Sequence, residues 1–240
     1  MKENLVFNLN RIYTGLIVLT LILIVFFFKL DFFLYLFIVF CFFYEIYKSG
    51  LLKLRSVLLL FALYVLTLLI SYYLYNLSIY LIILALISFL ISLLFPKKIN
   101  YSFSIFLVFL SLIIFNLFLI DRYLVYLVIM VSFYNDTLAF IFGNLFKGPL
   151  IAANISPNKT WSGTALSFLL TLILLIILHY NILLGVIISV SLFLGDLYFS
   201  FVKRKIGMKD FSNILHSHGG ILDRVDSMSF FFIILLFVNL

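Results

Sequence analysis

Residues Tyr101–Ile120 read YSFSIFLVFLSLIIFNLFLI, twenty positions without one Asp, Glu, Lys or Arg. A helix needs about 20 mostly apolar residues to cross the hydrocarbon of a bilayer. In lipid the backbone must satisfy its own hydrogen bonds, so a run this rich in Phe, Ile and Leu is helical even though it would suit a strand in water. Membrane β-strands would show shorter, alternating segments, and the chain shows none. Working outward, similar runs flank it on both sides. The candidate spans are Ile12–Phe28, Phe32–Tyr47, Val57–Tyr75, Leu77–Phe95, Tyr101–Ile120, Tyr123–Phe142, Gly163–Tyr180, Ile182–Phe201 and Ser227–Leu240. The expected fold class is therefore all-α: a polytopic integral membrane protein of about nine transmembrane helices.

Composition agrees. Of 240 residues, 66% are hydrophobic and 10% charged, against roughly 25% charged in a soluble domain. Mean hydropathy is +1.32. Too little polar surface exists to coat a water-soluble globule, which excludes a soluble enzyme, a disordered tail and a disulfide-stapled secreted domain. Cys41 is the one cysteine, so no intrachain disulfide forms, and it reads as a small buried hydrophobe. The first apolar run follows Lys2 and Arg11 as a signal peptide's would. No small-residue cleavage site follows Phe28 and further apolar runs come at once, so it reads as a retained span.

The net charge of +7 is better read as topology than as a nucleic-acid surface, and no nucleic-acid partner is expected. With the N-terminus in the cytoplasm and alternating spans, fourteen of the sixteen basic residues fall inside, and only Lys29 and Arg122 fall outside. The positive-inside rule predicts this asymmetry. Residues 1–120 then hold about five spans. Residues 121–240 hold about four, with cytoplasmic connections at 143–162 and 202–226. Long polar connections on one side of an otherwise minimal membrane protein are where function belongs. No internal repeat is evident, which disfavours inverted-repeat transporters.

The nine acidic residues divide by place. Glu3, Asp31 and Asp121 sit at span ends as interfacial charges. Glu45, three residues before Lys48, reads as one half of a helix-surface ion pair. Asp136 and Asp196 lie inside spans, roughly 8–11 Å below the cytoplasmic ends at 1.5 Å per residue. Carboxylates at that depth should face a polar cavity and meet a cation. Asp223 and Asp226 share a face by their i, i+3 spacing if this stretch is helical. With a third acid from an adjacent helix they make a hard oxygen site suited to Mg²⁺. Gly219 and Gly220 beside them permit close backbone approach to a phosphate.

Lys203, Arg204, Lys205 and Lys209 lie in the same connection, with Asp210 adjacent. A lipid anchor needs only the cations. Interleaved carboxylates suit a metal–polyphosphate site, where cations take the phosphates and acids take the metal. His216, His218 and His179 do not make a zinc set, and no Walker-type Gly-rich loop is present. Ser156-Pro157-Asn158-Lys159-Thr160-Trp161 is a second compact polar run, either a solvated loop or a phosphate clamp. Trp161 suits an interfacial belt or a binding wall.

The run Ser200–Asp226, SFVKRKIGMKDFSNILHSHGGILDRVD, closely resembles the signature of the phosphatidate cytidylyltransferase (CDP-diacylglycerol synthase) family. Ser200, Lys203, Arg204, Lys209, Asp210, His218, Gly219, Gly220, Asp223, Arg224 and Asp226 fall in register with it. Asn135-Asp136-Thr137 and Ser156–Trp161 are similar to upstream motifs of the family. The chain departs at His216 (usually Pro or Gly), Ser162 (commonly Glu) and Leu138 (frequently Gly).

The resemblance implies an enzyme that joins CTP and phosphatidic acid into CDP-diacylglycerol and pyrophosphate for phospholipid synthesis. It implies an integral protein of the bacterial inner membrane with its site facing the cytoplasm, and a homodimer. It implies Mg²⁺ and a second cation such as K⁺, with Asp196 and Asp223 as direct ligands and Asp226 as a third ligand or just behind them. Lys203, Arg204, Lys209 and Arg224 would hold phosphates or the lipid headgroup, and Ser156, Lys159 and Thr160 the other side of the pocket. Asp136, Ser200, Gly219 and Gly220 would line the substrate site, with Asp210 beside them and His218 donating to a phosphate. Two rivals stay open on the residues alone. One is a transporter using Asp136 and Asp196. The other is a CTP-dependent polyprenol kinase, which would release CDP.

Overall fold

The computed structural model describes residues 20–73, 78–152, 154–212, 214 and 219–240. Residues 20–27 are helical (α1). There follow α2 (Asp31–Lys48), α3 (Leu54–Tyr73), α4 (Ser78–Leu94), a 3-10 turn (Pro96–Lys98), α5 (Ile99–Ile120) and α6 (Arg122–Phe146). A two-stranded antiparallel hairpin, β1 (Leu150–Ala152) with β2 (Ser156–Thr160), leads into α7 (Trp161–Ile177), α8 (Ile182–Ile206), α9 (Leu222–Val225) and α10 (Met228–Val238). The fold is mostly helical, as the composition requires, and the hairpin is the departure from an all-α expectation. The run Ser156–Thr160, read as loop or clamp, is an edge strand that delivers the chain to α7.

Helices occupy the second to eighth expected spans, and α10 fills eleven residues of the ninth. The start of the first expected span lies outside the described residues. Among the described residues three helical segments are long and apolar enough to cross a membrane by themselves: Pro96–Ile120, Arg122–Phe146 and Ile182–Ile206. Leu54–Ile70, Ser78–Leu94, Trp161–Ile177 and Met228–Val238 are shorter apolar helices. Together they make a multi-helix arrangement suited to lipid. Large apolar side chains such as Phe40, Leu59 and Leu90 face outward.

The centre is α5, which touches α2, α3, α4, α6, α8 and α10. Phe103, Phe106, Leu110, Leu112 and Ile113 on it have no exposed surface. Its serines return their hydroxyls to their own helix: Ser104 Oγ donates to Asn100 O at 2.7 Å and Ser111 Oγ to Val108 O at 2.7 Å. Such small hydroxylated residues let helices approach closely at no unsatisfied polar cost. At the end where α2 and α6 begin, Arg122 pairs with Asp31 at 3.1 Å, and Tyr126 Oη donates to Asp31 at 2.6 Å. Asp31 is therefore a helix-to-helix tie rather than a bare interfacial charge.

Candidate active site

Helices α6 and α8 both run further than their apolar stretches indicated. Asp136 and Asp196 each stand ten residues before the helix end, at Phe146 and Ile206 respectively. That is about 15 Å at 1.5 Å per residue, deeper than expected and equal for the two. Gly195 makes the next step possible. An added Cβ there would strike the Asp226 carbonyl and stand 3.0 Å from Ser229 Oγ. Only a glycine lets the chain entering α10 lie against α8 at this point, and that contact brings Asp226 beside Asp196.

The result is a cavity of about 460 Å³ between α6, α7, α8 and the α9 turn. Asp136, Asp196, Asp223 and Asp226 all line it, with Lys159 and Arg224. Phe140, Phe168, Val190 and Phe193 give it an apolar wall, and Trp161 stands at the start of α7. Asp196 pairs with Lys159 through one oxygen, and its other oxygen accepts from Ser200 Oγ at 3.3 Å. Asp136 accepts from Ser227 Oγ at 3.0 Å. Asp226 Oδ1 accepts from Ser227 N–H at 2.8 Å. Burial first, then the Asp196 carboxylate, pushes the Asp226 carboxyl well above the ordinary carboxylate range, against the pull of Lys203. Acids so placed ask for positive charge.

Asp223 is engaged differently. Its Oδ1 holds Lys203 Nζ at 2.8 Å, while Oδ2 accepts from Phe211 N–H at 3.0 Å and Gly220 N–H at 2.8 Å. Three of its roughly four acceptor positions are therefore committed within the protein. Among the described residues no three His, Cys, Asp or Glu side chains are gathered tightly enough to form a ready-made metal cage. The donor chemistry fits a hard divalent ion all the same: carboxylate oxygens from α6, α8 and the end of α9, balanced by lysines. Asp136, Asp196 and Asp226 have more uncommitted oxygen than Asp223.

The remaining residues fall nearer or further. Thr160 lines the cavity and caps α7, its Oγ1 accepting from Gly163 N–H at 3.2 Å. Ser162 donates to that same oxygen and accepts from Gly148 N–H, both at 3.2 Å, and so knots the hairpin to α7. Lys203 is buried behind Asp223. Arg204 is exposed and donates to the Ile155 and Met208 carbonyls at 3.1 and 3.2 Å. Ser156, Arg204, Lys209 and Asp210 stand outside the cavity lining. Gly219 has φ +74°, where a side chain would be strained. Gly220's bare face is filled by Glu45 and Ser212, not left open for a phosphate. His216 and His218 lie outside the described residues.

Glu45 does not form the surface ion pair with Lys48 that its spacing suggests. It is fully buried and accepts from Ser212, Ile221 and Leu222. Lys48 instead stands over the Tyr44 ring, 5.4 Å from its centroid. A lone acid at the end of an apolar span was the available signal. Ser227, the partner of Asp136, carried none.

A family model described as "Cytidylyltransferase family" matches residues 9–240. The chain belongs to the cytidylyltransferase family. The chain is similar to relatives named phosphatidate cytidylyltransferase. The Rickettsia conorii protein is 32% identical over 124 residues, covering 45% of this chain and 54% of the relative. Those of Staphylococcus aureus and Staphylococcus epidermidis are 41% and 44% identical over 119 residues, covering 45% of this chain and of each relative. The matches thus span about half the length of these curated relatives. No solved structure matches the chain.

Proposed function

We propose that this cytidylyltransferase-family protein is a CTP:phosphatidate cytidylyltransferase. It spans the bacterial inner membrane about nine times with its N-terminus and its site on the cytoplasmic side. Residues 121–240 carry the chemistry on a frame supplied by residues 1–120. The observation that carries this reading is one shared cavity in which Asp136, Asp196, Asp223 and Asp226 meet Lys159 and Arg224 beside an apolar wall. A site with acids, cations and an apolar side suits one substrate that is a polyphosphate and another that is a lipid.

A phosphatidate phosphate oxygen attacks the α-phosphorus of CTP. A new P–O–P bond forms, the α–β bridging bond breaks and its electron pair leaves with pyrophosphate. Phosphatidate is already ionised, so no base is required. Both reactants are anionic, and their repulsion is a large part of the barrier. Lys159 and Arg224 face the phosphates. Lys203 lies one layer back, held by Asp223. Asp136, Asp196 and Asp226 would hold Mg²⁺, with a second cation such as K⁺ nearby. A bound divalent ion supplies charge neutralisation between the two reactants. The apolar wall takes the start of the acyl chains.

The test is membranes containing the protein, supplied with radiolabelled CTP and phosphatidate. Label in the chloroform phase, with pyrophosphate released and dependence on phosphatidate and Mg²⁺, supports the reading. CDP as the released product would indicate a kinase. Ion flux in proteoliposomes without CTP, in the absence of labelled lipid, would indicate a transporter.

A further inference from the structure

Glu45 and Asp223 grip the same short piece of chain from opposite sides. Glu45, near the inner end of α2, takes Ser212 Oγ at 2.6 Å and Ile221 N–H at 2.7 Å on Oε1, and Leu222 N–H at 2.8 Å on Oε2. Asp223 takes Phe211 N–H and Gly220 N–H, at 3.0 and 2.8 Å, on one oxygen. Residues 211–212 and 220–222 are thus closed onto two carboxylates. Gly220 lies between them. A Cβ there would stand 2.5 and 2.7 Å from the two Glu45 oxygens and 2.7 Å from Ser212 Oγ.

The chemistry at this point asks for an acid. Three donors converge and an ionised carboxylate only accepts. A glutamine would turn its NH₂ toward an N–H and leave a buried donor unmatched. The other Asp223 oxygen holds Lys203 Nζ, so the placement of residues 220–222 sets the aim of the Asp223–Lys203 pair.

We propose that Glu45, from the N-terminal half of the chain, is a positioning residue for the site. It fixes residues 220–222, the lead into α9, from which Asp223 faces the cavity with Lys203 of α8 held behind it. Its effect on turnover rests on the cytidylyltransferase reading above; its hold on those residues does not.

The experiment uses the full-length protein in nanodiscs. Glu45→Gln is expected to raise the KM for CTP about tenfold or more, the loss of a charged hydrogen bond, beyond any fall in kcat. Glu45→Asp, which keeps both acceptors but is one methylene shorter, should fall between it and wild type. A purely structural role would lower the amount of active protein and leave the KM unchanged, and that result overturns the proposal. Should Glu45→Gln fail to fold, Ser212→Ala removes one donor only. A rise of about twofold to threefold in the KM for CTP supports the proposal, and an unchanged KM overturns it. Amide hydrogen exchange is read in parallel. Faster exchange at residues 220–223 in Glu45→Gln, with α5 and α8 unchanged, supports the proposal, and equal exchange refutes it. If wild type makes no labelled lipid, the functional reading fails, while the exchange comparison still decides what Glu45 holds.

Discussion

Lys203 Nζ stands 2.8 Å from Asp223 Oδ1, with the two side chains only 10% and 5% exposed. Breaking a buried pair by removing one member strands the other charge, at a cost of about 3–5 kcal/mol. Asp223→Asn should therefore lower the thermal midpoint and abolish CTP-dependent lipid labelling. Lys203→Met combined with Asp223→Asn should recover much of the midpoint and none of the labelling. Thermal unfolding in detergent alongside the radiolabel assay checks both. Stability that does not recover in the double variant would show that the two act separately.

Asp136 shares its cavity with Asp196 and Asp226, and Ser227 Oγ donates to it at 3.0 Å. Asp136→Asn keeps an oxygen for that hydroxyl and removes one negative charge. The variant should be at least as heat-stable as wild type in EDTA, and inactive. In wild type, Mg²⁺ at about a hundred times its Kd should add about 2.7 kcal/mol of stability, and Asp136→Asn should lose most of that gain. A Mg²⁺-induced shift equal in both proteins would remove Asp136 from the cation site.

Thr160 is both a cavity residue and the cap of α7. Thr160→Val keeps the shape and loses the acceptor, at a cost of about 0.5–2 kcal/mol. Thr160→Ser should keep the cap and most of the activity. Thermal midpoints and labelling of the two variants, measured together, separate capping from any contact with substrate. A loss confined to Thr160→Ser would point to the Thr methyl instead.

Lys48 is exposed over Tyr44 and holds no carboxylate among the described residues. Lys48→Ala should change stability by no more than about 0.5 kcal/mol and leave labelling intact. A large loss would revive the ion pair with Glu45 that the sequence alone indicated.

The apolar runs were legible because span length is a local property. Twenty uncharged residues at 101–120 become α5 whatever their neighbours are. The acids of the cavity were legible too, since an Asp inside an apolar helix is costly enough to need a reason. The helix ends were less so: α6 and α8 carry polar and basic residues for another turn, which hydropathy reads as connection. The strand at Ser156–Thr160 was hidden by its proline and by a partner of three residues.

From the chain alone came the helical, lipid-suited class and the register of Ser200–Asp226, because both depend on residues near one another in sequence. The tertiary structure alone decided that Glu45 faces Ile221 and Leu222 rather than Lys48, and that Ser227 reaches Asp136. Those bonds join residues 176, 177 and 91 positions apart. Such pairings exist because helices stacked around α5 carry distant residues to the same depth, a proximity no local pattern encodes.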